Sequence, residues 1–567
     1  MNNMKHLFGL ALLAGVVSFA SCSDDVMNDN NTGAETRSAA TTQQSDIVVL
    51  DSGIVSWHDH YSRMLAEIQR EKDAANGEEE VAPQTLALEA FAKEGLEKSD
   101  SIAAAEAGAN GEYNKVEKTK ILSIYNYKWV SILYQSVDEH QNPITLSTLL
   151  AYPRHWSKTV SPRNLVIGCH ITITQDAQCP TNYSHQGMLS DVGMIVTHAS
   201  KSSTDACYGN LVVMPDYEGY GISANRAHPY LYQELTARQV VDGAKAALKW
   251  FEENETKMQD GWGTMSVGYS QGGSVSMAVQ RYIEQKNLSE FNFKGSICGD
   301  GPYDPVATLK DYIATNKVFM PVALGLIIKG MCDANPIITK AGYKAEDFFT
   351  QKFLESGIID MISAKALNTD QIQEKLAEAS LNGKNCTAHL LGRTRYWIFG
   401  KYDYRDYTRA NYKKYTWRKV KANEAVYWNT SDLIRPEVLA YLKGDTEGRT
   451  AEGDARGKAL EQALEMNNLT TNWVPAHPIV VFHSTKDEVV KFANYESARD
   501  KFAKASQWFK GIKYENRGTY THVGTGTAFF PVPRYEGRYS RWILNSNTDW
   551  NSIPTEQVEE GSKKLGW

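Results

Sequence analysis

The chain is 567 residues long, 42% hydrophobic, and carries a formal net charge of −7. That length suits one large α/β domain with an insertion and leaves ample apolar material for a core. The acidic balance excludes a broad basic face for nucleic acid. The absence of internal repeats, glycine-rich phosphate loops and dinucleotide fingerprints excludes a solenoid and a nucleotide cofactor site.

Residues 1–21 read as a secretory signal peptide, with Lys5 near the start, an apolar run over 7–17 and small residues before Cys22. The run is too short to span a membrane. Phe19-Ala20-Ser21-Cys22 resembles a bacterial lipobox, with phenylalanine where leucine is usual. That resemblance implies lipidation of Cys22 and a membrane anchor at the mature N-terminus. Ser23-Asp24-Asp25 resembles the export signal of surface-exposed lipoproteins, which implies an outer-membrane lipoprotein displayed on a bacterial cell envelope. Residues 22–45 are rich in Asn, Asp, Ser and Thr and bury too little apolar surface to fold, so they read as a flexible tether.

A helical segment is expected over 46–115. Trp57, Tyr61, Met64, Leu65 and Ile68 recur at helical spacing over 56–73, a second helical run covers 83–96, and an acidic loop around Glu78, Glu79 and Glu80 separates them. This segment is expected to pack on the main body rather than fold alone. His58 and His60 lie close together but have no third ligand nearby, which argues against a metal site.

Residues 116–304 read as the first part of an α/β domain. Stretches 121–137 and 144–152, rich in Tyr, Ile, Val and Thr, flank a turn and predict two antiparallel leading strands. A short strand over 164–169 runs into His170-Ile171-Thr172, where His170 has a structural reading and a functional one. Another strand, 211–214, precedes Pro215-Asp216-Tyr217-Glu218-Gly219-Tyr220-Gly221, in which Asp216 reads as the tie of a loop. A helix is expected over 232–251.

The organising stretch follows. A β-prone run over 264–267 meets Gly268-Tyr269-Ser270-Gln271-Gly272 and then an amphipathic helical run to about 285. This is G-x-S-x-G between a strand and a helix, the context in which a strained turn exposes a nucleophilic serine. Gly268, Gly272 and Gly273 leave room for the chain to fold past itself, and the amides and positive dipole end of the next helix point at whatever Ser270 attacks. The strand at 295–298 then delivers Asp300 and Asp304, two candidates for a triad acid.

Residues 305–469 are too many for a structureless loop. They predict a mostly helical cap, with helices over 318–331, 343–354 and 370–379. The stretch 393–421 is basic and aromatic, with Arg393, Tyr396, Trp397, Tyr404, Trp417 and Arg418 among its residues. It reads as an interface between cap and body, or as a platform for stacking on sugars or holding acidic groups. The second part of the α/β domain, 470–567, holds a buried strand over 477–483 followed by Lys486-Asp487-Glu488-Val489-Val490, and then His522 in a loop ahead of a helix. Serine, acid and histidine therefore come in the order Ser270, Asp487, His522, each after a strand.

On the elbow, the Pro215-Asp216-Tyr217 stretch, the Lys486-Asp487 segment and His522, the chain resembles the α/β-hydrolase superfamily, specifically the secretory lipase branch that contains fungal lipase-A-like enzymes. The resemblance covers about 120–305 and 470–545. It implies an α/β-hydrolase fold, a cap at 305–469, Asp487 rather than Asp300 or Asp304 as the acid, and oxyanion-hole amides at Gln271 and Thr172. It also implies a serine esterase or lipase acting on a small-molecule, glycan or lipid ester, without metal or cofactor. A serine peptidase of the same fold and a non-catalytic surface binding protein are the alternatives. Six cysteines follow Cys22, namely Cys169, Cys179, Cys207, Cys298, Cys332 and Cys386; their even number permits disulfides in an exported chain without choosing a pairing.

Overall fold

The computed structural model describes residues 47–74, 83–106, 125–155, 158–199, 209–381, 388–394, 403–407, 424–515, 522–530, 536–545 and 549–560. The expected signal peptide, Cys22 and the tether lie outside the described residues, as do Cys207, Cys386 and most of the basic aromatic stretch 393–421. Among the described residues, no helix is long and apolar enough to cross a membrane.

Among the described residues, fourteen strands follow in chain order. They are β1 (Val49–Ser56), β2 (Tyr125–Val137), β3 (Pro143–His155), β4 (Lys158–Thr159), β5 (Leu165–Cys169), β6 (Leu211–Pro215) and β7 (Thr264–Tyr269). After them come β8 (Phe293–Gly299), β9 (Ala388–Thr394), β10 (Asp403–Tyr407), β11 (Glu424–Trp428), β12 (Ile479–Ser484), β13 (Phe509–Glu515) and β14 (Glu556–Glu560). The main sheet runs β1-β2-β3-β6-β5-β7-β8-β12-β13-β14, with β4 pairing off β3. β1, β2 and β3 are antiparallel to their neighbours, and from β6 to β14 every pairing is parallel.

Parallel strands covered by helices on both faces read as unbroken apolar runs, and every residue of β5, β6 and β7 is buried. Successive side chains of β5 and β6 divide between two cores. Val166, Val212 and Met214 face one, with Trp57, Tyr61 and Met64 of the helix Trp57–Ala74 and Tyr539 and Ile543 of the helix Glu536–Leu544. Leu165, Ile167, Leu211 and Val213 face the other, with the helices Gln233–Asn254, Gln271–Gln285 and Ala493–Ala505. His60 belongs to the first core: it is buried, hydrogen-bonded to the Tyr127 hydroxyl at 3.1 Å, and burial pushes its pKa down to about 3.

Between β8 and β12 lie the 179 residues 300–478, yet the two strands pair directly, Ile479 with Ser296 through Phe482 with Gly299. The insertion gathers a third apolar cluster around Val322, Leu326, Ile358, Ile372, Leu433 and Leu460. Helices such as Pro321–Ala334, Thr369–Leu381 and Ala451–Met466 build most of it.

Four findings differ from the sequence reading or add to it. Residues 49–56, inside the segment expected to be helical, form β1, where β-branched Val49, Ile54 and Val55 favour a sheet edge over a helix. The helix expected over 343–354 is a 3₁₀ turn, Ala345–Asp347, and a one-turn helix, Gln351–Leu354, because Phe349 between them extends to bridge Ile434. The insertion also holds a three-stranded antiparallel sheet, β10-β9-β11, within and beside the basic aromatic stretch. Finally, Cys169, Cys179, Cys298 and Cys332 are free thiols, so no disulfide involves the described cysteines.

Candidate active site

The turn after β7 is constrained by close packing of backbone on backbone. A Cβ on Gly268 would lie 2.2 Å from the Gly272 carbonyl oxygen, and one on Gly272 would lie 2.1 Å from that of Cys169. Only glycine fits at either position. Ser270, between them, is held at φ 56° and ψ −125°, a strained conformation for a residue with a side chain. Its N–H donates to the Gly299 carbonyl at 2.9 Å, and its own carbonyl accepts from Gly273 N–H at 2.9 Å. The next residue, Gln271, opens the helix Gln271–Gln285, so its N–H has no acceptor one turn earlier in that helix.

Asp487 follows β12. Its Oδ1 accepts the N–H groups of Val489 and Val490 at 2.8 and 2.7 Å, and its Oδ2 lies 2.6 Å from Nδ1 of His522, the first residue of the helix His522–Phe529. His522 Nε2 lies 2.8 Å from Ser270 Oγ. These contacts fit one tautomer, with Nδ1–H donating to Asp487 and the serine hydroxyl donating to Nε2. Burial opposes charging of the imidazole, but the Asp487 carboxylate, charged and hydrogen-bonded to the ring, outweighs that and raises its pKa to about 9. The structure therefore brings Ser270, His522 and Asp487 into one hydrogen-bonded chain.

The other acids occupy different posts. Asp304 caps the helix Pro305–Thr315, accepting from Ala307 N–H at 3.0 Å and from the Ser497 hydroxyl at 2.7 Å. Asp300 is fully buried, accepts Ser484 N–H at 2.7 Å through Oδ1 and touches the Tyr269 hydroxyl through Oδ2. Asp216 ties a loop, as expected, by accepting from Ser147 Oγ at 2.5 Å and Thr181 N–H at 2.8 Å, while burial pushes its pKa up to about 7. His170 is buried between the carbonyls of Ile171 and Asp216, at 2.7 and 3.1 Å, and stacks on Tyr217, which is its structural reading. Asp300, Asp487 and His522 bring ligand-type atoms within 4.8 Å of one another, and both His522 nitrogens are already engaged by Asp487 and Ser270.

A cavity of about 110 Å³ opens on Ser270 and His522. Ile171, Met194, Met320, Val523 and Phe530 give it an apolar lining; Thr172 and, from the insertion, Asn368, Thr369 and Asp370 give it polar groups. Thr172 therefore borders the site, with its hydroxyl 2.7 Å from that of Tyr230. Ile171 N–H is taken by Asp191 Oδ2 at 2.8 Å, and burial raises the Asp191 pKa to about 6. The Gln271 side chain turns away to His228 Nε2 at 2.8 Å. Sequence reasoning missed Asn368, Thr369 and Asp370, which carry no local motif, and Tyr269, whose only signal was its place before the elbow serine.

No family model matches the chain, and no curated protein matches it. Solved structures do. A ligand-bound form of the rice cell wall degrading esterase LipA from Xanthomonas oryzae is 19% identical, with 77% of this chain and 93% of that one covered at a TM-score of 0.52. A Legionella pneumophila protein described as a putative hydrolase is 14% identical, with 75% and 90% covered at a TM-score of 0.50. Lipase A of Candida antarctica in its closed state is 14% identical, with 69% and 73% covered at a TM-score of 0.44. At these identities the likeness to the first two shows the fold, and it is the α/β-hydrolase fold that the sequence resemblance implied.

Proposed function

We propose that this chain is a serine hydrolase of carboxylic esters. The observation that carries the reading is the Ser270–His522–Asp487 chain, with contacts of 2.8 and 2.6 Å, ending on a serine held at φ 56° by glycines that admit no side chain. His522 Nε2 takes the Ser270 proton as Oγ attacks the ester carbonyl, and Asp487 stabilises the imidazolium. The oxyanion is received by the amides of Gln271 and Thr172; each such donor is typically worth about 3–4 kcal/mol of barrier. The imidazolium protonates the leaving alcohol. Water then attacks the acyl group and gives its proton to His522, which returns it to Ser270 Oγ as the acyl–Oγ bond breaks and the carboxylic acid leaves.

The insertion 305–469 acts as a cap in this reading, because Met320 and Asn368–Asp370 line the cavity beside Ser270. A glycan-borne ester fits a lining that mixes apolar and polar groups, and a fold neighbour is named for degrading rice cell walls. Export, lipidation of Cys22 and display on a bacterial cell surface rest on the N-terminal sequence. Incorporation of labelled palmitate that is lost in Cys22→Ala is the expected result, and labelling that survives the substitution removes the anchor.

Hydrolysis of p-nitrophenyl esters from acetate to palmitate tests the activity, using the protein without residues 1–22 beside Ser270→Ala and His522→Ala. Activity lost in both variants, with fluorophosphonate labelling of Ser270, is expected. An inert series without labelling would sink the esterase reading and move weight to peptide substrates or a binding role.

A further inference from the structure

Next to the triad lies a second buried carboxyl that the proposed chemistry does not use. Asp300 stands just past the end of β8 at φ 36°, held there by its N–H to the Phe482 carbonyl at 2.8 Å. Tyr269, the last residue of β7 and the neighbour of Ser270, sends its hydroxyl back between two oxygens, Asp300 Oδ2 and the backbone carbonyl of His522. The phenol ring is packed against His522, Phe529 and Phe530 at centroid distances of 5.4, 5.4 and 6.0 Å.

The protons can be counted. A tyrosine hydroxyl has one proton, and here it touches two oxygens at hydrogen-bond range. The His522 carbonyl can only accept, so it takes the phenolic proton. The contact with Asp300 Oδ2 then needs a proton of its own, and only the carboxyl can carry it. The remaining surroundings agree. Asp300 Oδ1 accepts Ser484 N–H at 2.7 Å, as the carbonyl oxygen of a neutral acid does. His483 offers no compensating cation: its Nε2 is spent on the Val490 carbonyl at 2.9 Å, and its Nδ1 lies 3.6 Å from Asp300 without hydrogen bonding. Asp487 is the nearby carboxylate that owns donors suited to a charge, two backbone N–H groups and His522. Two carboxylates this close do not both ionise readily. Burial, and then the Asp487 charge, push Asp300 well above the ordinary carboxylate range.

We infer that Asp300 is held as a neutral acid and serves, through the Tyr269 hydroxyl, as a positioning residue for His522. The proton runs from Asp300 Oδ2 to Tyr269 Oη, and that of Tyr269 to the His522 carbonyl, so the start of the helix His522–Phe529 is pinned behind the imidazole. No bond is made or broken. A neutral Asp300 also leaves Asp487 as the main charge on the ring, so His522 holds its proton less tightly than it would between two carboxylates. The inference rests on the triad reading of Ser270, His522 and Asp487. Besides Ser270, the ionisable groups facing this cluster are Tyr269, Tyr303, Tyr514, His483, Asp487, Glu488 and His522.

The test combines a spectrum with kinetics. An infrared difference spectrum of wild type minus Asp300→Asn at pH 8 should show a protonated-carboxyl stretching band; its absence overturns the inference whether or not the protein is active. Asp300→Ala and Tyr269→Phe should each lower kcat by about tenfold at unchanged KM, the scale of a slightly misplaced base. Asparagine keeps one donor and one acceptor, so Asp300→Asn should recover most of that loss and leave the acid limb of kcat/KM where it is. A limb moved down by about one unit in Asp300→Asn would show that a charge had been removed beside His522, and an undiminished kcat in Tyr269→Phe would show that the hydroxyl positions nothing; either overturns the inference. If Asp300→Ala fails to fold, the spectrum and Asp300→Asn still decide. A wild type with the band and no esterase activity would overturn the triad reading alone.

Discussion

The end of the sheet that carries Ser270 and the insertion beside it are both well packed, but they are built by different rules. Around Ser270 the backbone is packed too closely to admit an added atom: a Cβ on Gly268, Gly272 or Gly273 would lie within 2.2 Å of the carbonyl oxygen of Gly272, Cys169 or Gly299 respectively. The insertion is held by side-chain packing among residues such as Val322, Ile358 and Leu460, which can be repacked. It meets the body through polar contacts that include Thr174 Oγ1 to the Leu367 carbonyl at 2.8 Å, Asp176 N–H to the Lys365 carbonyl at 2.9 Å, and Lys365 Nζ to the Ala224 carbonyl at 2.7 Å. In the proposed reading the contrast divides the labour: the body would set whether a bond is broken, and the insertion would set which molecule is presented.

The largest effects should come from the body. Ser270→Ala and His522→Ala should each lower kcat by about 10⁶, and Asp487→Asn by about 10⁴, with KM little changed in steady-state ester hydrolysis. Activity within a hundredfold of wild type in any of the three would break the assignment. A paired stability measurement sharpens the contrast. Ile358→Ala, in the insertion's core, should cost about 2–5 kcal/mol by leaving a cavity while the folded fraction keeps its turnover. Gly272→Ala should cost about 1–3 kcal/mol or more by overpacking and lose turnover as well, because the serine moves with the turn. Calorimetry and active-site titration on the same samples distinguish the two patterns.

Smaller changes are expected where the insertion reaches the cavity. Asn368→Ala and Asp370→Ala should shift the preference among acyl chains or alcohols by about 10–200-fold, or ~1–3 kcal/mol of discrimination, with hydrolysis of the acetate ester nearly intact. Equal losses on every ester would assign these residues to folding instead. The smallest effect is the pH response. The protonated imidazole cannot accept the Ser270 proton, and His522 is raised from 6.5 to about 9. The acid limb of kcat/KM should therefore lie above 6.5, with activity rising as pH climbs toward 9. The same shift stabilises the fold through the imidazolium–Asp487 pair fully below 6.5, and that contribution fades as pH rises through about 9. Melting temperatures of wild type against His522→Ala across this window should converge on the alkaline side.

The elbow was legible in the sequence because its requirements are local. Two glycines flank the serine at fixed spacing, between a β-prone run and a helical one, and the same five residues make the turn. His522 and Asp487 were legible by order and by their strand ends. The choice among Asp300, Asp304 and Asp487 was not legible from the residues themselves, since each follows a strand; the resemblance favoured Asp487, and the fold puts that residue on His522 Nδ1 at 2.6 Å. β1 was hidden because Asp51, Ser52 and Gly53 interrupt its apolar pattern and its partner β2 lies some 75 residues on. The insertion's small sheet was hidden by a composition that suits packing and stacking equally.

By itself the sequence determined the serine at the elbow, the turn that presents it and the class of fold, because glycine sterics and strand periodicity act over a few neighbouring residues. Only the tertiary structure decided which acid meets the histidine, which part of the insertion lines the cavity, and that Tyr269 stands between Asp300 and His522. Those contacts join residues 31 to 253 positions apart. Their geometry depends on strand register and loop closure, which no local pattern encodes.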